Sequence, residues 1–129
     1  MFKSETVTDG VRIKVVSQYS SEHSHPHVNR WFFIYTVQIT NESSRTVQLV
    51  SRHWIILDAD GHREDVRGPG VVGQQPSLQP GQSFQYTSGC PLATPFGSME
   101  GTYQMVAEDG QKFDARIAPF TLSEPITVN

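Results

Sequence analysis

Hydrophobic and polar residues alternate along most of this chain, and alternation with a period of two predicts β-strands. In the segment that begins at Val11, the positions Val11, Ile13 and Val15 are apolar, and Arg12 and Lys14 stand between them. Because successive side chains of a strand point to opposite faces, this segment has one buried face and one solvated face.

Further segments repeat the same period. In the segment WFFIYTVQITN (31–41), both faces of the strand are apolar in the first half, and one face becomes polar in the second half. One end of that strand is therefore expected to be covered on both faces. TVQLVSRHWIILD (46–58) is rich in the β-branched residues that favour strands. QSFQYTSG (82–89) and GTYQMVAEDGQKFDARI (101–117) continue the pattern, and a last partial strand follows around Phe120.

Turn residues separate these segments. Asp60-Gly61 and Asp109-Gly110 are hairpin turn pairs, Pro80-Gly81 favours another turn, and Asp58 belongs to the first of these turns. Eight prolines and ten glycines interrupt the chain at short intervals, and no window has a helical period. The pattern predicts an all-β fold, an antiparallel β-sandwich of about seven strands.

The length of 129 residues suits one domain that spans residues 1–129. About ten residues at the N-terminus and about seven at the C-terminus, from Ser123 onwards, are expected to fray. Cys90 is the only cysteine, so no internal disulfide can form, and its thiol is interpreted as a bystander.

Charge and hydropathy narrow the range of partners and compartments. Ten basic and thirteen acidic residues give a net charge of −3, and the basic residues are scattered. This balance argues against a nucleic-acid partner. The chain has no apolar stretch long enough for a signal peptide or a membrane span, so no membrane partner is expected and the cytoplasm is the predicted compartment.

The stretch VRGPGVVGQQP (66–76) contains a Gly-x-Gly-x-x-Gly motif at Gly68, Gly70 and Gly73. A dinucleotide-binding fingerprint needs a helix directly after the glycines and an acidic residue about 20 positions further on. The chain leads instead through prolines into another turn, and Ala93 stands near the position that would bind the ribose. The motif is therefore not a Rossmann fingerprint.

Two interpretations of the glycine motif stay open. Consecutive backbone N–H groups of a glycine-rich turn can form a nest that binds phosphate, with charge-assisted hydrogen bonds from Arg67. On this interpretation the candidate ligand-binding residues are Arg67, Gly68, Gly70 and Gly73. The alternative is that the glycines only supply backbone conformations that other residues adopt with difficulty.

The stretch HSHPH places His23, His25 and His27 two positions apart, so that in an extended segment their imidazoles could converge on a transition metal. A structural site needs four fixed ligands, and Glu22 is the only other metal-binding side chain close by in sequence. These three histidines are weak candidates, and no metal site and no cofactor are predicted.

The sequence offers no set of catalytic residues. His53 lies in a predicted strand and is expected to be half-buried, with a hydrogen bond to a neighbouring strand. Ser51, Ser88 and Ser98 do not stand in a nucleophile-elbow context. No nucleophile, base and orienting group can be assembled, so the protein is predicted not to be an enzyme.

Four stretches together resemble the ApaG family, and the resemblance extends from Val11 to Leu122. They are WFFIYTVQITN, VQLVSRHWIILDADG, VRGPGVVGQQPSLQPGQSFQYTSG and PLATPFGSMEGTYQM. The resemblance implies an immunoglobulin/fibronectin type III-like sandwich in a bacterial protein. It also implies a possible pyrophosphate or nucleotide contact at the glycine motif, an association with cobalt and magnesium tolerance, and kinship with protein-interaction modules.

The sequence thus predicts a non-enzymatic binding module of the ApaG type whose partner is another protein. One alternative is that the glycine loop binds pyrophosphate or a (di)nucleoside polyphosphate. A second alternative is a role linked to tolerance of divalent cations. Exposure of Phe32, Ile34 and Trp54 would indicate a homo-oligomer.

Overall fold

Nine β-strands form two antiparallel sheets that face each other in this computed structural model, which describes residues 1–125. Within those residues the only helical element is a 3₁₀ turn at Pro26–Val28, and no helix is long and apolar enough to cross a membrane. The strands are β1 (Phe2–Thr8), β2 (Val11–Tyr19), β3 (Trp31–Asn41), β4 (Val47–Asp58), β5 (Arg63–Pro69), β6 (Ser77–Leu78), β7 (Ser83–Leu92), β8 (Phe96–Ala107) and β9 (Lys112–Ser123).

The strand order confirms the predicted immunoglobulin/fibronectin type III-like sandwich. The first sheet has the order β1-β2-β3-β7, and the second has the order β5-β4-β8-β9 with the short β6 also beside β4. The number of strands exceeds the predicted seven, because β1 and the two-residue β6 leave little trace in the hydrophobic pattern.

The core lies between the sheets and follows the alternation of the sequence. One parity of each central strand is buried, as the pattern of β2 shows: Val11, Ile13 and Val15 are at most 1% exposed. Trp54 is 3% exposed and belongs to this core, whereas Phe32 and Ile34 are partly exposed on the outer side of β3.

The first ten residues differ from the expectation that they fray. β1 pairs with β2 along its whole length, from Phe2 opposite Ser17 to Thr8 opposite Val11. The Thr6 hydroxyl donates to the Arg116 carbonyl, and the Arg116 N–H donates to the Thr8 hydroxyl. These bonds close one side of the sandwich, where β1 lies beside β9.

At the other end of the chain, β9 continues to Ser123, and both Phe120 and Leu122 are buried. The Glu124 N–H donates to the Pro95 carbonyl over 2.9 Å, so the first residues of the segment that was expected to fray are hydrogen-bonded. The remainder of that prediction, residues 126–129, lies outside the described residues.

The predicted turns are confirmed. Gly61, Gly81 and Gly110 have φ of 81°, 86° and 86°, which is the left-handed region that glycine adopts without strain. The Asp58 carboxylate accepts hydrogen bonds from the N–H groups of Asp60 and His62. Asp58 therefore serves to form the turn, as predicted.

Candidate functional site

The side of the sandwich opposite the β1–β9 contact is open. There β7 is the last strand of the first sheet and β5 is the last strand of the second, and each pairs on one side only within residues 1–125. A cleft of about 240 Å³ lies between them and is lined by residues of both sheets. We call it the edge cleft; its floor is formed by Tyr35, Trp54 and Met99.

The floor of the edge cleft is aromatic and packed. Tyr35 on β3 and Trp54 on β4 come from opposite sheets, and their ring centres are 5.4 Å apart in an edge-to-face arrangement. Trp54 also contacts Tyr103 and Phe120 at ring distances of 6.2 and 5.9 Å. Such mutual packing fixes the rings and buries them, because Tyr35 and Trp54 are only 6% and 3% exposed. The apolar side chains that a ligand can reach in the cleft are the partly exposed Ile56 and Val66.

Arg52 stands at one end of the edge cleft. Its Nη1 atom donates to the carbonyl oxygens of Pro69 and Gly70 over 2.9 and 2.8 Å. The guanidinium lies across Gly68, where a Cβ atom would be 2.9 Å from Nη2. The side chain is therefore held in one orientation on the inner side of the second sheet.

Facing residue pairs on β4 and β5, here called rungs, follow one another along the edge cleft. Arg52 is opposite Gly68, Trp54 is opposite Val66, and Ile56 is opposite Glu64 (these three pairs share one face of the sheet). Alternate residues of a strand are about 7 Å apart. A cation, an apolar patch and an anion thus follow one another along the cleft.

The β7 wall differs from the β5 wall in charge. β5 carries Arg63, Glu64, Asp65 and Arg67, whereas the segment of β7 from 84 to 89 has no charged residue. Charges along an edge strand discourage pairing with another chain, so β7 is the edge better suited to accept an added strand.

Phe32 supports the free edge of β7 from outside. Its ring lies over Gly89, where a Cβ atom would be 2.2 Å from the ring Cζ. Glycine is thus required at this place in β7, and the aromatic ring replaces the side-chain contact that glycine cannot make.

Burial keeps the ionisable groups near the cleft floor neutral. Desolvation raises the pKa of Tyr35, a rise that a hydrogen bond with Ser88 and the charge of Arg52 partly offset. Desolvation, with a contribution from Glu64, raises the pKa of the Cys90 thiol to about 12. Cys90 lies in β7 and is 2% exposed. Tyr35 is therefore a hydroxyl donor at neutral pH, and Cys90 is a protonated thiol.

The glycine motif forms an excursion from the edge of β4. β5 and β6 pair with the same strand, and the chain between them leaves the sheet opposite a β-bulge at Val50. Val71 and Gln74 exchange two backbone hydrogen bonds around a two-residue turn. The Gly70 N–H donates to the Val50 carbonyl, which ties the base of the excursion to β4.

Each glycine of the motif has a separate conformational reason. Gly68 leaves room for Arg52. Gly70 has φ of 58° and is buried, and a Cβ atom there would be 2.2 Å from the Gln74 carbonyl oxygen. Gly73 has φ of 79° at the second position of the turn, as a type I′ hairpin requires.

The Arg67 side chain and Gly68 lie on opposite faces of the second sheet. Arg67 is opposite His53 and exposed on the outer face of the second sheet, whereas the next residue, Gly68, is opposite Arg52 on the inner face. The N–H groups of Gly70, Val71 and Gln74 all donate within the protein. Phosphate binding at Arg67–Gly73 stays a prediction.

The three histidines of HSHPH do not converge. His23 forms a hydrogen bond with Ser20 and packs against Phe32, while the rings of His25 and His27 are 6.0 Å apart and perpendicular. Within residues 1–125 no group of three His, Cys, Asp or Glu side chains is arranged to hold a metal ion.

His53 has the hydrogen bond to a neighbouring strand that its position predicted. Its Nε2 atom is 2.8 Å from an Asp65 carboxylate oxygen on β5. Arg63 binds the same carboxylate. The hydrogen bond from Arg63, and to a smaller extent the one from His53, holds the pKa of Asp65 well below its usual range. The cluster lies on the outer face, away from the edge cleft.

Sequence reasoning missed Arg52 and the edge cleft. The lining residues come from β3, β4, β5, β7 and β8, and only the strand register brings them together. The one signal in the sequence was a charged residue on the buried face of a strand. Arg52 is two positions from Trp54, so both side chains point to the same face.

The fold and the edge cleft define a fibronectin type III-like sandwich domain with a recess between two strand edges. The family model described as the ApaG domain matches residues 21–107. The protein ApaG of Anaeromyxobacter dehalogenans (strain 2CP-C) is 55% identical over 126 residues, which cover 98% of this chain and 99% of that protein. The protein ApaG of Methylobacterium sp. (strain 4-46) is 53% identical, over 97% and 95%.

The chain therefore belongs to the ApaG family, as the sequence analysis predicted. A protein named ApaA from Bordetella pertussis has a crystal structure similar to this one, with a TM-score of 0.88 and 50% identity over 91% of this chain and 95% of that chain. The C-terminal domain of wzt, at 14% identity and a TM-score of 0.55, shares the fold.

Proposed function

We propose that this protein is a non-enzymatic binding module that takes up an extended segment of another protein in the edge cleft. The observation that carries the proposal is a cleft between two strand edges, each paired on one side only within residues 1–125, in which the partly exposed Ile56 and Val66 lie beside a buried aromatic floor. An unpaired edge offers backbone N–H and C=O groups to an added strand.

The geometry of the edge cleft suits an extended chain better than a helix or a compact ligand. A segment beside β7 would place every second side chain towards the floor at Tyr35 and Trp54, with the side chains between them facing solvent. Backbone pairing would supply affinity, and the inward side chains would supply selectivity.

Three observations favour binding over catalysis. The Cys90 thiol is buried, and its pKa of about 12 leaves it protonated and a poor nucleophile. The Ser51 hydroxyl donates to the Gln104 side chain. His53 is held by Asp65 on the outer face, where the edge cleft does not reach.

The proposed module acts in the cytoplasm, where a chain with a single thiol needs no oxidising environment. Of the three residues whose exposure would favour self-association, Trp54 is part of the core, whereas Phe32 and Ile34 are partly exposed on the outer side of β3. A second copy of the chain is the competing occupant of the edge cleft, and light scattering over a concentration series distinguishes it from a foreign segment.

The test is selection of binders from a displayed library of random peptides, followed by NMR titration of the best peptide. We expect amide shifts centred on residues 88–90, the part of β7 that lines the cleft, and on Trp54. Val66→Lys, which places a charge in the middle of the cleft, should abolish binding. Val72→Lys is the matched control, because Val72 is 55% exposed at the glycine turn, and it should leave the affinity unchanged.

Thermal unfolding of both variants verifies that they are folded. Equal affinity of the wild type and Val66→Lys for the selected peptides would contradict the proposal, as would a library that yields no peptide with shifts in the cleft.

A further inference from the structure

Building on the proposed function, we infer that the edge cleft recognises an extended segment in which an acidic, an apolar and a basic side chain occupy alternate positions. The acidic group binds Arg52, the apolar group packs on Val66, and the basic group binds Glu64. Arg52 is thus the residue that determines which acidic segments are bound.

Arg52 is prepared to bind a carboxylate. Two N–H bonds of Nη1 go to the carbonyls of Pro69 and Gly70, which fixes the plane of the guanidinium. Within residues 1–125 no carboxylate lies within 4 Å of it, whereas Arg12, Arg45 and Arg63 each have an acidic partner. A guanidinium held in place on a strand loses little side-chain entropy when it binds an anion.

Two hydroxyl groups line the same cleft as Arg52. Tyr35 and Ser88 are opposite each other on β3 and β7. Burial keeps Tyr35 protonated, so it can donate a hydrogen bond to an anion. A cation flanked by neutral hydroxyl donors favours a carboxylate over a cationic or an amide side chain.

The opposite charge stands at the other end of the cleft. On β5, Glu64 is four residues from Gly68, with Val66 midway between them. Their partners on β4 have the same spacing; they are Ile56, Arg52 and Trp54 respectively. An extended ligand has the same spacing of about 7 Å between alternate side chains. Acidic, apolar and basic groups at positions i, i+2 and i+4 of the ligand therefore match the cation, the apolar rung and the anion.

The experiment uses the full chain and the peptides selected from the random library. The best peptide is compared with a version whose acidic residue is changed to the corresponding amide, against the wild type, Arg52→Gln and Arg52→Lys. We expect the wild type to lose about ten- to a hundredfold in affinity for the amide peptide, in keeping with loss of a charge-assisted hydrogen bond. Arg52→Gln should bind both peptides equally weakly, and Arg52→Lys should lie between.

Arg67→Gln is the matched control. It removes the same charge one position from Gly68, but on the outer face, and it should retain the preference for the acidic peptide. Glu64→Gln should reduce the affinity only for peptides that carry the basic residue.

The inference and the proposed function fail in different ways. Peptides that bind in the cleft but tolerate the acid-to-amide change would overturn the inference and leave the proposed function standing. Absence of any cleft-bound peptide would overturn both. If Arg52→Gln does not fold, the acid-to-amide comparison on the wild type decides, because it needs no variant protein.

Discussion

Tyr86 on β7 and Tyr103 on β8 are hydrogen-bonded to each other through their hydroxyl groups in the middle of the sandwich. They are 8% and 0% exposed, and the bond joins the first sheet to the second. A buried hydroxyl is costly without a partner, so each tyrosine satisfies the other. The pair therefore helps to fix how the sheets face one another beneath the edge cleft.

Tyr103→Phe should destabilise the protein more than the simultaneous change of both tyrosines. The single variant leaves the Tyr86 hydroxyl buried without its partner, at a cost of about 1–3 kcal/mol. In Tyr86→Phe/Tyr103→Phe no hydroxyl remains to be satisfied. Urea unfolding of the four members of this double-mutant cycle measures the difference, and strictly additive losses would contradict the account.

The stability of the fold should fall in alkaline solution. Desolvation raises the pKa of Tyr35, Tyr86 and Tyr103 above the ordinary 10.0, and that of Cys90 from 9.0 to about 12. The unfolded chain then releases these protons at lower pH than the folded chain, so the stabilisation is complete below about pH 9 and is lost above it.

The free energy of unfolding should fall by about 1.4 kcal/mol per pH unit for each of these groups that is ionised in the unfolded chain but still protonated in the folded one. Urea unfolding between about pH 8 and about pH 11 measures it. Tyr103→Phe has one such group fewer and should show a shallower fall. A free energy of unfolding that stays constant over this range would be inconsistent with buried, neutral tyrosines.

Gly70→Ala should be far more destabilising than Gly73→Ala. Both positions have positive φ, but a Cβ at Gly70 meets the Gln74 carbonyl at 2.2 Å, whereas nothing lies within 4 Å of one at Gly73. We expect about 1 kcal/mol for Gly73→Ala from the backbone conformation alone, and at least about 2 kcal/mol for Gly70→Ala. Thermal unfolding compares them, and equal losses would show that the clash is relieved by movement of the turn.

Val72→Asn should stabilise the protein. Val72 has φ of 43°, a conformation that β-branched residues rarely adopt, and it is 55% exposed. Asparagine tolerates this region and is favoured in type I′ turns, so a gain of about 1 kcal/mol is expected. Val28→Asn is the control, since Val28 is 62% exposed without positive φ; a similar gain there would refute the explanation by strain.

The prediction of phosphate binding at Arg67, Gly68, Gly70 and Gly73 can be tested by NMR titration with pyrophosphate. The N–H groups of Gly70, Val71 and Gln74 already donate within the protein, so a phosphate could use these three only by breaking existing hydrogen bonds. We therefore expect weak shifts spread over the exposed basic residues. Saturable shifts confined to residues 67–73 would instead establish the anion site.

The sequence predicted most of the second sheet and the central strands of the first, because apolar residues at one parity show directly which face is buried. β1 escaped prediction because its inward positions, Ser4, Thr6 and Thr8, are polar. The hydroxyls of Thr6 and Thr8 bind the backbone of β9. An alternation of Ser and Thr was the signal present, but it does not differ from that of a solvated strand.

The edge cleft could not be predicted for another reason. Arg52 on β4 and Ser88 on β7 are far apart in sequence, and they line the same cleft only because the two sheets face each other. Pairings between distant strands depend on how the two sheets are assembled. Local periodicity carries no information on that choice.

The contact between β1 and β9 also determines when the molecule can be completed. The hydroxyls of Thr6 and Thr8 reach Arg116, so the first and the last of the nine described strands are hydrogen-bonded to each other. While Arg116 is still within the exit tunnel, β1 can pair with β2 but this side of the sandwich stays uncovered. This side of the sandwich therefore closes only after Arg116 has left the tunnel, and until then a nascent chain exposes apolar surface that is prone to aggregation.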